Sequence, residues 1–320
     1  MKKILITSLI LTAAVLLLPL IRLEGTDKAL PTTTITQSDT LKYEPTIVET
    51  FKVYDPETDK ITSMSCDEYI FGVVAAEMPA LYHEEALKAQ AVAAYTFACS
   101  RRNTNAVKDY DITSSPLTDQ SFVTKEIATQ RWGEKAAEYT QKIESAVKET
   151  KGYVLTYKGK LITAVYHAIS SGKTESCKNV WGKDLPYLVP VPSEDDRLAE
   201  NYISSVVFAK EQLTEKLNSV IGETQNITFG EPLRTESGNV KEITVCGKAC
   251  SGAEIRKLLE LRSSNFAVTS EGEQITFTVY GYGHGVGMSQ NGANAMAKKG
   301  SDFKEILTHY YTGCNIEKVD

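Results

Sequence analysis

The chain is predicted to fold as a mixed α+β protein, with helices and mainly antiparallel hairpins forming one large domain over residues 47–320. Two observations carry this. Capped helical stretches and β-rich runs alternate irregularly, unlike the strict alternation of a parallel α/β sheet, and short turn signals such as DPET and KGK join strands as hairpins. No internal repeat is visible in the sequence. At 320 residues, 42% hydrophobic and 24% charged, the chain is long enough to bury a full core.

Lys2 and Lys3 precede residues 4–21 (ILITSLILTAAVLLLPLI), an uncharged stretch that as a helix would span about 27 Å and so cross a bilayer. The run ends in PLIRLEG without a small-residue cleavage pair, so residues 1–22 are expected to be an uncleaved single-pass anchor. The basic residues before it place the N-terminus in the cytoplasm and the rest of the chain on the extracytoplasmic side of the cell membrane. Residues 23–46, rich in Thr, Ser, Asp and Pro, read as a flexible linker.

The folded part opens with a hairpin, TIVETFKVY and KITSM flanking DPET. Ser65 and Glu68 form a capping-box pattern that starts a helix over DEYIFGVVAAE, and Pro79 forces that helix to end near Glu77. Glu84 and Glu85 begin a second helix and Arg101 and Arg102 close it, signs that suit the helix dipole. Its apolar stripe of Leu87, Ala91, Ala94, Tyr95 and Ala98 is flanked by further alanines, so close packing on several sides is expected. EKAAEYTQKIESAVKETKG is a third helix, stopped by Gly152. YVLTY and LITAVYHA around KGK read as a hairpin, KEITVCG as a strand, Ser251 and Glu254 as a second capping box, and FAVTS and ITFTVY as strands. The glycine run GYGHGVG precedes helices around NGANAMAK and DFKEILTHYYTG.

A net charge of −6 and a pI near 5.5 give no positive field for a polyphosphate, so nucleic acid is not an expected partner. The six cysteines, at 66, 99, 177, 246, 250 and 314, are too sparse for a disulfide scaffold. Cys246 and Cys250 lack the second Cys or His pair that a zinc site needs. GMSQN misses the last glycine of a G-x-S-x-G elbow, and GYGHGVG misses the last glycine of G-x-G-x-x-G, which argues against a serine hydrolase and a dinucleotide site.

Glu77 is the candidate for chemistry. It closes an apolar helix with no Lys or Arg within three residues, a setting that raises a carboxyl pKa by desolvation and makes it a usable proton donor. His167 and the following AISSGKTE sit at the end of a strand in a Ser- and Gly-rich turn, where binding groups are often presented. His284 is the side chain to watch in the glycine run, whose backbone can approach a ligand closely. Trp132, Trp181, Tyr166, Tyr187, Tyr280 and Tyr282 offer flat faces suited to sugar rings.

AAEMPA followed by EALKAQAVAAYTFA, then SSGKTESCKNVWGKDLPYLVPVPSEDD, then GYGHGVGMSQNGANAMAKKGSDFKEILTHYYTGCNIEKV resembles the stage II sporulation protein D family over about residues 60–320. The resemblance implies a lytic transglycosylase that cleaves peptidoglycan glycan strands stripped of stem peptides, during engulfment. It also implies partnership with a sporulation amidase and a membrane scaffold protein, and no cofactor. The family's EMP acid falls on Glu77. Tyr166, His167, Ser170, Ser171, Lys173 and His284 are candidates for orienting sugar hydroxyls or the N-acetyl group. Tyr95 stands where the family usually has an arginine that would contact substrate or the carboxylate. Some clostridial members bind zinc through a cysteine pair after this helix; DITSSPLTDQSF has no cysteine, so no metal is carried over. Two alternatives stand beside this reading: a non-catalytic wall-binding protein that recruits or stimulates an amidase, and a two-carboxylate hydrolase using Asp195 or Asp196.

Overall fold

The computed structural model describes residues 47–224 and 226–319, so the expected anchor and nearly all of the linker lie outside the described residues. Among the described residues no helix is long and apolar enough to cross a membrane.

The fold is mixed α+β with antiparallel pairing dominant, as expected. Strands β1 (Thr50–Asp55) and β2 (Lys60–Ser65) form the first hairpin. The Asp55 carboxylate organises its turn by accepting from Glu57 N–H (3.0 Å) and the Thr58 hydroxyl (2.8 Å). Helix α1 (Cys66–Glu77) follows, capped by Ser65 Oγ accepting from Glu68 N–H at 3.2 Å. The return bond of the expected capping box does not form here, whereas the Ser251–Glu254 box is complete. Met78, extended at φ −123° before Pro79, ends α1 at Glu77 as predicted.

Helix α2 (Glu84–Thr104) is the axis of the larger core. Ala86, Ala89, Ala93, Ala94 and Ala98 are fully buried, and these short side chains let α1 and later elements approach from several sides. Strand β3 (Ile112–Thr113) adds to β1 in parallel. Helix α3 (Lys125–Trp132), which the sequence reading missed, leads into α4 (Ala136–Glu149), the amphipathic third helix. Gly152, at φ +80°, turns the chain into β4 (Tyr153–Tyr157).

The expected hairpin around KGK is cut short. β5 (Lys160–Leu161) pairs for two residues only, and the chain then leaves β4 so that β6 (Tyr166–His167) runs parallel to the distant β13 (Met288–Ser289). The Val165 carbonyl is responsible: it accepts from the Tyr311 hydroxyl (2.9 Å) and Met288 N–H (3.3 Å), partners that a hairpin would not provide.

After the short helix α5 (Cys177–Trp181), residues 203–280 build a second hydrophobic cluster. It contains β7 (Ile203–Ala209), α6 (Lys210–Ile221), β8 (Leu233–Arg234), β9 (Val240–Val245), β10 (Lys248–Ser251), α7 (Gly252–Leu258), β11 (Phe266–Glu271) and β12 (Gln274–Tyr280). Phe266, Phe277, Leu213, Leu217, Ile243 and Val245 fill its centre. The span expected as one domain therefore carries two cores. Helices α8 (Gln290–Lys298) and α9 (Phe303–Tyr310) and strand β14 (Asn315–Lys318) return to the first, where β14 pairs with β4.

Candidate active site

Glu77 ends α1 partly buried, and its Oε1 accepts from Ser121 N–H at 2.7 Å. Among the described residues no cation stands within ion-pairing distance of it. Burial pushes its carboxyl above the ordinary value, and the hydrogen bonds from Ser121 pull it only partly back. A backbone amide fixes the orientation of the carboxyl without the full counter-charge that would lock it ionised.

Two tyrosines feel the Glu77 charge. Tyr69 stands at the second of two helical repeats before Glu77, on the same face of α1, and Tyr166 comes from β6. Gln120 ties them together: its Oε1 accepts from the Tyr69 hydroxyl (3.1 Å) and its Nε2 donates to the Tyr166 oxygen (2.9 Å). Tyr166 thus accepts from Gln120 and keeps its own phenolic proton to donate. The sequence reading missed Tyr69, Gln120 and Ser121. The four-residue spacing of Tyr69, Val73 and Glu77 was a usable signal for the first; nothing local marks the other two.

His167 points away from Tyr166 along β6 and is buried. Its Nδ1 lies 3.1 Å from the Val286 carbonyl, and its Nε2 is buried with no partner. His284 stands beside it, ring centres 5.8 Å apart, and 4.8 Å from the Trp181 ring. His284 Nδ1 accepts from Val286 N–H (3.1 Å), and the Tyr166 backbone pulls its imidazole partly back up. Burial lowers both imidazoles; the Arg256 charge acts in the same direction on each, while Asp196 opposes it at His167. Both rings are neutral at physiological pH.

The glycine run makes this juxtaposition possible. Gly281, Gly283, Gly285 and Gly287 all have positive φ. A Cβ on Gly283 would meet His167 Cβ at 2.8 Å, and one on Gly287 would meet the Val165 carbonyl oxygen at 2.0 Å.

The remaining expected residues fall elsewhere. Ser170 is buried, its N–H donating to Asp196 Oδ2 (2.9 Å) and its Oγ accepting from Gly172 N–H (3.1 Å), so it shapes the turn. Ser171 offers its carbonyl to the Tyr202 hydroxyl at 3.4 Å. Lys173 is ion-paired with Glu236 of the second cluster. Tyr95 packs in the core: its ring stands edge-on to Phe51, and its hydroxyl accepts from Val48 N–H at 3.0 Å. These surroundings correct the expectation of a substrate contact at Tyr95.

Neither aspartate of the two-carboxylate alternative is free. Asp195 is held by Lys299 at 2.7 Å. Asp196 is fully buried and accepts from Ser289 Oγ (2.9 Å), Asn291 Nδ2 (3.1 Å), Ser170 N–H (2.9 Å) and Ser193 Oγ (2.9 Å). It pins three loops together with neutral donors. Glu175 does likewise, accepting from Ser176 N–H, Asn179, Thr235 and Asn239, while its own N–H donates to the Gly285 carbonyl at 2.7 Å. A depression of about 580 Å³ lined by Phe71, Phe122, Lys125 and Lys151 does not include Glu77. Among the described residues no three of His, Cys, Asp or Glu converge on a common point that a metal would occupy.

A family described as "SpoIID: Stage II sporulation protein" matches residues 54–157, the stretch that holds α1, α2 and Glu77. Stage II sporulation protein D of Bacillus amyloliquefaciens is 35% identical over 284 residues, covering 87% of this chain and 82% of that protein. The protein of the same name from Bacillus subtilis (strain 168) is 34% identical over 294 residues, covering 88% and 82%. An amidase enhancer of Bacillus subtilis (strain 168) is 28% identical over 303 residues, 77% of this chain and 40% of its own length. With the similarity to the two sporulation proteins covering 87% and 88% of it, the chain belongs to the stage II sporulation protein D family.

Proposed function

We propose that the protein is a lytic transglycosylase that cleaves the glycan strands of peptidoglycan during sporulation engulfment, with Glu77 as its single acid and base. The observation that carries this reading is the environment of Glu77: a partly buried carboxyl, raised by burial, held by a backbone amide and near enough to Tyr166 for its charge to be felt there.

Ordinary glycosidases need two carboxylates. A transglycosylase does not, because the C6 hydroxyl of the muramic acid residue attacks its own C1. Glu77 protonates the departing glycosidic oxygen as the C1–O bond breaks, and its carboxylate then takes the proton from the C6 hydroxyl as the C1–O6 bond closes the 1,6-anhydro ring. The proton moves from one sugar oxygen to the other through Glu77, and no water is consumed. Tyr166 donates to the carboxylate or to a sugar oxygen, and neutral His284 orients the strand without adding charge. Residues 1–22 would hold the catalytic part at the cell membrane on the extracytoplasmic side, where a sporulation amidase that strips stem peptides and a membrane scaffold protein would be its partners.

Incubating the full-length protein with peptide-free glycan should yield 1,6-anhydro-muramic ends by mass spectrometry, and Glu77→Gln should abolish them. Reducing ends in place of anhydro ends would instead indicate hydrolysis. The amidase enhancer similarity supports a second reading, a wall-binding protein that stimulates an amidase without cleaving glycan. On that reading neither kind of end appears, and a partner amidase is accelerated equally by the parent protein and by Glu77→Gln.

A further inference from the structure

Strand β7 is an open edge of the sheet ordered β11, β12, β7. The opposite edge is guarded: Arg234 Nη2 donates to the Phe266 carbonyl at 2.8 Å where β11 begins, and β11 ends in the charge of Glu271. The β7 segment ISSVVFA has no charge and no proline, the residues that usually keep an exposed edge from pairing. Two of its apolar side chains, Ile203 and Val207, are 56% and 52% exposed.

The pairing with β12 fixes which backbone groups of β7 are left over. At one end Gly281 N–H donates to the Tyr202 carbonyl (2.8 Å), and at the other Lys210 N–H donates to the Glu273 carbonyl (3.0 Å), both in the register that sets Ile203 opposite Tyr280 and Ala209 opposite Gln274. Bonded residues alternate along an antiparallel strand. The even-numbered residues of β7 therefore bond to β12, and Ile203, Ser205 and Val207 turn their N–H and C=O groups outward. Among the described residues no other backbone group meets them. The side chains of these three residues share one face of the sheet, and all three residues are exposed.

We propose that β7 pairs with β7 of a second copy of this chain, antiparallel about a two-fold axis at Ser205, so that two three-stranded sheets become one continuous sheet. In this register Ile203 of each copy opposes Val207 of the other, and Ser205 opposes Ser205. Every outward N–H then meets an outward carbonyl, two bonds for each of the three opposed pairs and about six in all. The same register sets apolar side chain against apolar and hydroxyl against hydroxyl on the exposed face. A two-fold axis at Val207 instead would leave Ile203 with nothing opposite and set Ser205 against Ala209. Charge favours the first register too. Glu200, exposed and without an ion pair among the described residues, and Lys210, held by Glu273 only at 3.7 Å, stand equally far from Ser205 on its two sides, so each copy turns its Glu200 toward the Lys210 of the other. A segment that is its own complement across a two-fold axis fits a second copy, the isologous arrangement of most dimers. One strand pair buries less than the roughly 800 Å² per copy of a standard interface, so the dimer is reversible and concentration-dependent. This interface is independent of the glycan-cleaving reading.

Sedimentation equilibrium of the full-length protein in density-matched detergent tests it. Between about 1 and about 300 μM the parent should pass from monomer to dimer, with a Kd of about 10–100 μM. Ser205→Lys and Ser205→Glu each set like charges against each other on the axis and should each weaken self-association at least about tenfold. An equimolar mixture of the two variants should dimerise at least as tightly as the parent. Position 205 is exposed, so thermal melts of both variants should match the parent, which separates loss of pairing from loss of fold. A parent that remains monomeric at the highest concentration overturns the proposal and leaves the edge to some other strand. A dimer that survives both single substitutions also overturns it, and so does a loss in each variant that mixing fails to restore.

Discussion

Replacing Glu77 by Gln separates what this residue does for chemistry from what it does to stability. The side chain keeps its shape, and its remaining carbonyl oxygen can still accept from Ser121 N–H, now 2.7 Å from Oε1. The proton that the mechanism moves is gone. Loss of general acid–base catalysis lowers rates by about 10²–10⁴-fold, or about 2.7–5.5 kcal/mol of barrier. Stability should move the other way. A carboxyl whose folded value is raised favours folding fully below its unfolded value, near 4.5, and loses that advantage as pH rises through the folded value. Above the unfolded value, folding therefore requires either protonating this group or burying its charge, at up to about 1.4 kcal/mol per unit of elevation. Gln removes this burden. Thermal melts of the two proteins should show Glu77→Gln the more stable at pH 7, with the difference shrinking as pH falls toward 4.5. Release of anhydro ends by the variant within a few-fold of the parent, or a lower melting temperature at pH 7, refutes the reasoning.

The other predictions test the surroundings of Glu77 one contact at a time. Tyr166→Phe removes the phenolic proton that Tyr166, accepting from Gln120, keeps free to donate, and should lower kcat on peptide-free glycan about tenfold, the worth of one hydrogen bond near 1.4 kcal/mol, with little change in KM. Tyr95→Phe strands the buried Val48 N–H and should destabilise by about 1–3 kcal/mol in urea melts while leaving cleavage untouched. Asp196→Ala leaves buried hydroxyl and amide donors unmet and should reduce stability by about 2–4 kcal/mol, seen as a lower urea midpoint at unchanged slope. Gly287→Ala places a Cβ 2.0 Å from the Val165 oxygen at φ +74°, so the β6–β13 pair must open and both stability and cleavage should fall.

The parts of this arrangement that were legible in the sequence are those set by neighbours in the chain. Pro79 ends α1 at Glu77 whatever the tertiary structure does, and Glu84 and Arg102 bracket α2 through its own dipole. The glycines at 281, 283, 285 and 287 announced a close approach, although not to what. What could not be read depends on residues far apart in sequence. Tyr166 pairs with Met288 across more than a hundred residues, and nothing in YVLTYKGKLITAVYHA shows that the strand abandons its hairpin. Ser121 and Gln120 sit in a polar stretch indistinguishable from an ordinary loop until Glu77 and Tyr166 close on it. Helix α3 was passed over because it is short, and α6, as long as α1, because no capping side chain marks its start at Ala209.

The charges near β6 sort into two groups, and the sorting explains why a single acid suffices. Asp196 and Glu175 are almost fully buried, yet each is satisfied by four neutral donors and serves to hold loops together. Asp195 and Lys173 are paired with Lys299 and Glu236. Glu77 and Arg256 are the exceptions. The first is held by a backbone amide with no full counter-charge, and the second by a carbonyl too weak to compensate its charge. On the glycan-cleaving reading, an arriving sugar strand uses this setting of Glu77, which gives up a proton and takes one back. A second carboxylate beside Glu77 would raise its pKa further by repulsion, and an arginine there would depress it. The neutral ring of Tyr69, Tyr166, Gln120 and Ser121 does neither, which leaves desolvation, partly offset by the hydrogen bonds from Ser121, to set the proton affinity of Glu77.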